Sequence, residues 1–214
     1  MSLIVNEIFY SIQGESSYAG NPCVFVRLTG CNLRCTWCDT VYAYDEGDEM
    51  TIEAILDAVR RFPCRLVEIT GGEPLLQDRT PELAVRLLNR GDTVLVETNG
   101  SRNISMLDTR CVKIVDFKTP SSGMEAENDY RNIERLAPHD EVKLVVASRA
   151  DFDFAEGLIR HIRSGGHGNV IHISPVWGRM EPKVLAGWML DAGLDARLAL
   201  QLHKIIWGAE ARGV

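Results

Sequence analysis

CNLRCTWCDT, residues 31–40, contains three cysteines at C-x3-C-x2-C spacing, Cys31, Cys35 and Cys38, shortly after the largely apolar run of residues 24–28. A closed structural zinc site requires four ligands, and a ferredoxin-type cluster requires four cysteines. Three cysteines around a four-iron cube leave one iron without a protein ligand, so that iron can bind a reacting molecule. The spacing therefore favours an open 4Fe-4S site.

Three other interpretations of these thiols remain open. Zinc accepts carboxylate and imidazole, so Asp39 or a distant histidine could complete a three-cysteine zinc site. Cys35 and Cys38 also match the C-x-x-C pattern of thioredoxin-like redox pairs. A disulfide framework is the weakest alternative, because the remaining cysteines occur singly in apolar surroundings, as small buried hydrophobic residues do; these are Cys23, Cys64 and Cys111.

The composition is that of one globular domain spanning residues 1–214. The chain is 45% hydrophobic and 25% charged, and no apolar run approaches the ~18 residues that a membrane span requires. The N-terminal sequence MSLIVNEIFYSIQGE lacks the pattern of a secretory signal, so we expect a reducing, cytoplasmic setting. The net charge of -7 argues against nucleic acid as a partner and favours a small-molecule substrate.

Short β-branched runs alternate with helix-like stretches, which predicts a mainly parallel sheet. The predicted strands are residues 23–29, 66–70, 93–98, 112–117, 141–147, 170–174 and 199–203. One predicted helix covers residues 51–62 with Thr51 as N-cap, and a second runs from Thr80 as N-cap to Gly91. A third has Asp153 and Glu156 as a capping box and ends at Gly165, and a fourth runs from Pro182 to near Gly193. The connections 99–111 and 119–140 have weaker helical patterns, so we expect fewer helices than strands.

Unusual residues follow most of the predicted strands, and they would gather at one rim, where parallel α/β folds form active sites. The segments in question are Arg27 with the cysteine loop, 70–74 (TGGEP), 97–100 (ETNG), 116–122 (DFKTPSS), 174–177 (SPVW) and 201–204 (QLHK). In the second segment, Gly71 and Gly72 permit close approach of a ligand, and the Glu73 carboxylate can bind an amino group. A plain turn before the helix at Thr80 remains an alternative, as does a solvated surface position for Lys118.

The cysteine spacing and the GGEP element resemble the signature of the radical S-adenosylmethionine (SAM) superfamily. Over nearly its whole length the chain resembles one family of it, the 7-carboxy-7-deazaguanine synthases of queuosine and 7-deazapurine biosynthesis. The more specific matches are Gln13-Gly14-Glu15 near the start and Gln201-Leu202-His203-Lys204 near the end. Further matches are 7–9 (EIF), 25–27 (FVR), 38–40 (CDT), 70–74, 97–100, 118–122 and the tail 207–214.

This resemblance implies an incomplete (β/α) TIM-like barrel of about six parallel strands with a reduced set of helices, in a homodimer. It implies conversion of 6-carboxy-5,6,7,8-tetrahydropterin to 7-carboxy-7-deazaguanine with loss of ammonia, a carbon–nitrogen lyase reaction. The implied cofactors are a 4Fe-4S cluster, SAM and Mg²⁺, with a flavodoxin-like or ferredoxin-like protein as electron donor. The cofactors perform the radical chemistry, and the protein positions them.

The resemblance also implies roles for individual residues. Carboxylates and amides suit the N–H groups of the pterin, and an arginine suits its carboxylate. Cys31, Cys35 and Cys38 would bind the cluster, and Thr40 the Mg²⁺ ion, with a loop-terminating hydrogen bond as the structural alternative for Thr40. Gly72, Glu73, Asp116 and Lys118 would bind SAM, although many relatives have Ser-Pro-Lys at positions 116–118. The substrate residues would be Ile12, Gln13, Gly14, Glu15, Arg27, Thr70, Glu97, His203 and Val214.

Two alternative functions fit parts of the same pattern. An activase of a glycyl-radical enzyme shares the cluster and GGEP chemistry but acts on a protein, and it would leave the elements at 13–15 and 201–204 without a role. A non-catalytic three-cysteine zinc module would need none of the other segments.

Overall fold

The computed structural model describes residues 2–214 and consists of one extended sheet with helices. The strands are β1 (Ser2–Ile12), β2 (Pro22–Leu28), β3 (Asp48–Thr51), β4 (Leu66–Gly71), β5 (Thr93–Thr98), β6 (Val112–Phe117), β7 (Glu141–Val146), β8 (Val170–Pro175) and β9 (Arg197–Leu198). The helices are α1 (Ile52–Arg60), α2 (Thr80–Asn89), α3 (Arg149–Ser164), α4 (Pro182–Asp191) and α5 (Leu202–Trp207). No helix among the residues described is long and apolar enough to span a bilayer.

The sheet confirms the expected incomplete barrel. Within residues 2–214 its strand order is β3-β1-β2-β4-β5-β6-β7-β8-β9, which begins and ends at different strands and so does not close. From β2 through β4 to β9 each neighbouring pair is parallel, whereas β1 pairs antiparallel with both β2 and β3. The connections after β5 and β6 contain only short 3-10 turns, so helices are fewer than strands, as predicted.

The two faces of the sheet differ in chemistry because side chains alternate along each strand. One set of alternate positions, such as Val67, Ile69, Val142 and Leu144, joins the buried faces of α1 to α4 in the main hydrophobic core. Polar and charged side chains occupy much of the other set and face a cavity; examples are Arg27, Glu68, Thr70, Glu97, Asp116 and Lys143. The helices therefore cover the outside of the partial barrel, and its inside is left for a ligand.

Three local predictions were wrong. Thr80 is not an N-cap: Arg79 occupies that position, and the Thr80 hydroxyl donates to the carbonyl of Pro74. The capping box at Asp153 and Glu156 does not form, because α3 begins one turn earlier, where the Ser148 hydroxyl accepts a hydrogen bond from the N–H of Asp151. Both acidic side chains instead pair with arginines of the same helix, Asp153 with Arg149 and Glu156 with Arg160.

The predicted strand at 199–203 was the third error. Only Arg197 and Leu198 pair with β8, and residues from Leu202 onward form α5. The apolar residues here suggested a strand, but Leu198 and Leu200 are each 38% exposed at the sheet edge, where they gain little from burial. The cap at Thr51, by contrast, is confirmed, since its side chain accepts from the N–H of Ala54.

Candidate active site

A cavity of about 600 Å³ lies at the carboxyl ends of the parallel strands and along the inner face of the sheet. Every site residue predicted from the sequence lines this cavity except Glu73; its walls include Ile12, Gln13, Gly14, Glu15, Arg27, Cys31, Cys35, Cys38, Thr40, Thr70, Gly72, Glu97, Asp116, Lys118, His203 and Val214. Of the segment 174–177, Val176 and Trp177 also line it. Residues from both ends of the chain thus share one site.

The three cysteines of the loop after β2 are free thiols, each partly exposed to the cavity. Burial raises the pKa of Cys31, while hydrogen bonds from the N–H of Leu33 and from the Asn99 amide act to lower it. Burial likewise raises the pKa of Cys35, and the nearby Lys118 ammonium opposes that rise. N–H groups and a cation directed at these sulfurs are the surroundings that stabilise thiolate ligands.

The donor set fits a cluster better than a single ion. In the described part of the chain, no three His, Cys, Asp or Glu side chains converge closely enough to bind one metal ion. A tetrahedral zinc site would require such convergence, because each Zn–S bond is only ~2.3 Å long. In a four-iron cluster each of three thiolates binds a different iron atom, and so the sulfurs can stand further apart.

Gly71 and Gly72 allow the end of β4 to pack against the cysteine loop. A Cβ at Gly72 would lie 2.2 Å from the carbonyl oxygen of Gly30 and 2.8 Å from the Cβ of Cys31. Gly71 has a φ of +146°, and a Cβ there would lie 2.1 Å from the carbonyl oxygen of Leu28. Close contact with neighbouring backbone therefore explains why both positions are glycine, which the sequence did not reveal. Gly72 in addition lines the cavity.

Glu73 is the one predicted ligand contact that does not reach the cavity. It is fully buried, and its carboxylate accepts hydrogen bonds from the Thr98 hydroxyl and from the N–H groups of Leu75 and Asn99. Burial raises its pKa, and these hydrogen bonds act in the opposite direction. Glu73 thereby joins the end of β4 to the end of β5 and holds Asn99, whose amide reaches Cys31.

Asp116 and Lys118 form a largely buried ion pair at the end of β6, with Nζ and Oδ2 2.8 Å apart and Lys118 partly exposed to the cavity. Burial acts to lower the pKa of Lys118, but Asp116 and Cys35 raise it overall, so the ammonium stays charged. The second carboxylate oxygen, Asp116 Oδ1, is buried without a hydrogen-bond partner in the residues described. An acceptor of this kind beside the cavity suits a ligand with hydroxyl or ammonium donors.

The two most specific sequence elements contact each other. The Gln201 amide donates to the Glu15 carboxylate at 2.8 Å, and the N–H of Leu202 donates to the carbonyl of Gly14 at 3.0 Å. Gly14 packs so closely on His203 that a Cβ would lie 2.2 Å from the ring atom Nδ1. Burial lowers the pKa of His203, which favours the neutral imidazole, although Glu15 acts to raise it.

Lys143 and Glu68 are ionisable residues of this site that the sequence analysis did not single out. Lys143, on β7, forms ion pairs with both Glu15 and Glu97, the latter at 2.7 Å. Glu68, on β4, accepts a hydrogen bond from the Gln13 amide, and burial together with the charge of Glu97 raises its pKa well above the ordinary value. The signal was a charged residue inside an otherwise apolar strand, where a charge is rare unless it is paired.

At the rim, Arg27 and Thr40 have polar atoms directed to the cavity. Arg27 Nε donates to Glu7 Oε1 at 2.8 Å, and the guanidinium lies near the rings of Phe9 and Tyr42. The Thr40 side chain makes no cap hydrogen bond, and its hydroxyl lies 3.7 Å from Cys38 Sγ. The structural alternative for Thr40, a loop-terminating bond to backbone, therefore finds no support.

Comparison with known proteins gives concordant matches. The family model of the Radical SAM superfamily matches residues 25–116. A 7-carboxy-7-deazaguanine synthase of Koribacter versatilis is 43% identical, over 98% of this chain and 99% of its own length. One of Chlorobaculum tepidum is 47% identical over 99% and 97% of the two chains. In fold, the crystal structure of QueE from Escherichia coli matches with a TM-score of 0.80 over 94% of each chain, at 24% identity.

Proposed function

We propose that this chain, which belongs to the 7-carboxy-7-deazaguanine synthase family of radical SAM enzymes, binds its substrate in the cavity at the carboxyl ends of β2 to β7. The reaction of the family is the conversion of 6-carboxy-5,6,7,8-tetrahydropterin to 7-carboxy-7-deazaguanine with loss of ammonia. The observation that carries this proposal is that residues from both termini meet around one cavity: Gln13, Gly14 and Glu15 from the start, and Gln201 and His203 from the end.

The substrate would be oriented by charge at its two ends. A pterin presents N–H donors on its aminopyrimidinone edge and carries a carboxylate at the other end. The carboxylates of Glu15 and Glu97 can accept from the former, and Arg27 can pair with the latter. His203, held against Gly14, offers a second polar group. Burial of these groups strengthens each contact, because water competes less for it.

The residues near the cysteines fit the two cofactors of the superfamily. Cys31, Cys35 and Cys38 would bind a 4Fe-4S cluster, and Gly72, Asp116 and Lys118 would contact SAM. The unpartnered Asp116 Oδ1 supports this assignment, since it can accept a hydrogen bond from a ligand hydroxyl or ammonium group. Cluster and SAM together supply, when bound, the radical that takes a hydrogen atom from the substrate. Glu73 acts only indirectly in this proposal, by fixing Asn99 and the end of β4.

A magnesium ion would bind beside Thr40. Mg²⁺ prefers oxygen ligands and keeps several waters, so one hydroxyl and a substrate carboxylate can suffice. The Thr40 hydroxyl has no backbone partner in a cap, and the neighbouring Asp39 carboxylate lines the same cavity, paired with Lys204. Oxygen donors therefore lie next to the predicted position of the substrate carboxylate.

The wider assembly is also a proposal. One continuous sheet across residues 2–214 supports a single radical SAM core domain. The exposed apolar side chains of α5, Ile205, Ile206 and Trp207, support a homodimer, because a second copy would remove them from water.

A flavodoxin-like or ferredoxin-like electron donor would approach the cysteine loop, where the cations Arg34 and Arg179 are exposed and would attract an acidic carrier.

The test is a product assay on protein purified and reconstituted without oxygen. With SAM, a reductant and 6-carboxytetrahydropterin, mass spectrometry should detect 7-carboxy-7-deazaguanine, and ammonia should appear in equal amount. Cys35→Ala protein serves as the cluster-free control. A glycyl-radical activase or a zinc module would give no deazapurine, and a zinc module would also lack the brown colour and the iron and sulfide of a cluster.

A further inference from the structure

Lys143 is a buried cation with two carboxylate partners. It extends from β7 into the cavity and is only 8% exposed. Its ammonium contacts Glu15, from the loop after β1, and Glu97, at the end of β5, the second at 2.7 Å. One side chain therefore links three segments that are distant in sequence. The proposed function gives both carboxylates a substrate contact but gives Lys143 no role.

The surroundings explain why a cation is needed there. Other charged and titratable groups face Lys143, Glu15 and Glu97 from neighbouring elements. They are Glu68 on β4, Asp116 and Lys118 at the end of β6, Asp39 in the cysteine loop and His203 on α5. Lys118 is already paired with Asp116, and burial lowers the pKa of His203. Lys143 is thus the cation bonded to Glu15 and Glu97. Without it, the Glu15 carboxylate would lie close to a second carboxylate in a buried site, which favours uptake of a proton by Glu15.

We propose that Lys143 is a positioning residue for the pterin, which keeps Glu15 negatively charged and holds Glu15 and Glu97 in place as acceptors for the substrate's N–H groups. This inference rests on the proposed function. A protonated carboxyl group presents a donor where the pterin also has a donor, so it would repel the edge that a carboxylate binds. Glu15 has a pKa of about 2 in the presence of Lys143: burial acts to raise it, but the Lys143 charge and hydrogen bonds from Lys143 and Gln201 outweigh burial.

Lys113 provides a matched control. It too is a buried lysine in a parallel strand, 3% exposed, and it pairs with Asp140 at 2.9 Å. It lies on β6, on the opposite face of the strand from Asp116, and does not line the cavity. Replacing either lysine leaves a buried carboxylate unpaired, so both variants should lose stability. Only Lys143→Met should affect substrate recognition.

The experiment compares wild type, Lys143→Met, Lys143→Arg and Lys113→Met, each reconstituted to the same iron content. KM and kcat for 6-carboxytetrahydropterin are measured from about pH 6 to about pH 9, and calorimetry gives the Kd of oxidised 6-carboxypterin as a non-reacting probe. Lys143→Met should raise KM and Kd on the order of 30-fold or more at neutral pH, with a smaller change in kcat. The increase in KM and Kd relative to wild type should become smaller as the pH rises, because the carboxyl group then loses its proton. Lys143→Arg retains the positive charge and should show little increase in either constant.

A Lys143→Met protein whose KM, Kd and pH profile equal those of Lys113→Met would overturn the inference, because Lys143 would then contribute to stability alone. That outcome is distinct from failure of the proposed function, in which wild type itself forms no 7-carboxy-7-deazaguanine. In the latter case the positioning role falls with the substrate assignment.

Discussion

Gln201 donates a hydrogen bond of 2.8 Å to the carboxylate of Glu15, which joins the start of the last helix to the loop after the first strand. Next to this bond, the ring of His203 lies against Gly14. The most specific elements of the sequence, near its two ends, thus form one wall of the cavity. This contact explains why both elements occur together in one chain.

Gly14→Ala should disrupt this wall. The added Cβ would lie 2.2 Å from His203 Nδ1 and 2.9 Å from the His203 backbone nitrogen, and backbone cannot move aside as a flexible side chain can. We expect α5 to shift, pterin turnover to fall at least tenfold, and the iron content to stay that of wild type. Steady-state kinetics and iron analysis check this.

Gly157→Ala is the control for that substitution. Gly157 lies within α3, and a Cβ there would meet no atom within 4 Å. Alanine should stabilise the helix by ~0.8–1 kcal/mol without changing turnover. Equal turnover in the Gly14→Ala and Gly157→Ala proteins would contradict the close packing of Gly14 on His203.

The cysteines should divide into two groups. Cys31→Ala, Cys35→Ala and Cys38→Ala should each abolish cluster assembly and SAM cleavage, because only these thiols line the cavity. Cys23→Ala, Cys64→Ala and Cys111→Ala should retain iron, since Cys23 and Cys111 are fully buried and none of the three lines the cavity. Iron and sulfide content and the visible spectrum after anaerobic reconstitution measure this. A Cys35→Ala protein with full iron content would refute the assignment.

The substitution Thr40→Val distinguishes a role of Thr40 as a magnesium ligand from a purely structural role. Valine preserves shape and removes the hydroxyl, so the magnesium stimulation of turnover should shrink while the cluster is retained. Because the Thr40 side chain makes no cap hydrogen bond, we expect little change in melting temperature. Turnover across a magnesium titration, run in parallel for both proteins, is the measurement. Titration curves of the same shape would mean that substrate and water alone hold the metal.

Glu15→Gln tests the ion pair with Lys143 through stability. The folded-state pKa of Glu15 is about 2, below its ordinary value of 4.5, so Glu15 contributes stability that is present above pH 4.5 and is lost as the pH falls toward 2. At neutral pH this contribution is at most about 3 kcal/mol. The difference in unfolding free energy between wild type and Glu15→Gln should therefore narrow as the pH falls from about 5 toward about 2. A difference that stays constant across this range would contradict the lowered pKa, and pterin turnover by Glu15→Gln at the wild-type rate would remove Glu15 from the substrate site.

The sequence was sufficient for the parallel strands and for most of the cavity wall. Runs such as 93–98 and 112–117 are β-branched and buried, and the residues at their carboxyl ends must meet at one rim. The sequence did not predict hydrogen bonds and ion pairs between residues that are distant along the chain. Nothing near Glu73 indicates that Thr98 and Asn99 satisfy its carboxylate, and nothing near Lys143 indicates Glu15 as its partner.

The antiparallel strand β1 and the last helix were also not predicted correctly. The antiparallel strand β1 was missed, although Leu3 and Val5 are buried at alternate positions. Residues 199–203 form a short, mostly apolar run that predicted a strand, yet the contacts of Leu202 and His203 with Gly14 favour a helix there. Where burial is slight, tertiary contacts decide the local structure over propensity.

The most direct test of the central claim is an anaerobic crystal structure of the reconstituted protein with SAM and 6-carboxytetrahydropterin. The pterin should lie in the cavity, with its aminopyrimidinone edge on Glu15 and Glu97 and its carboxylate near Arg27 and Thr40, and SAM should lie between the pterin and the cysteine loop. A pterin bound outside this cavity, or bound inside it with its carboxylate directed at Glu15 and Glu97, would contradict the proposed substrate site.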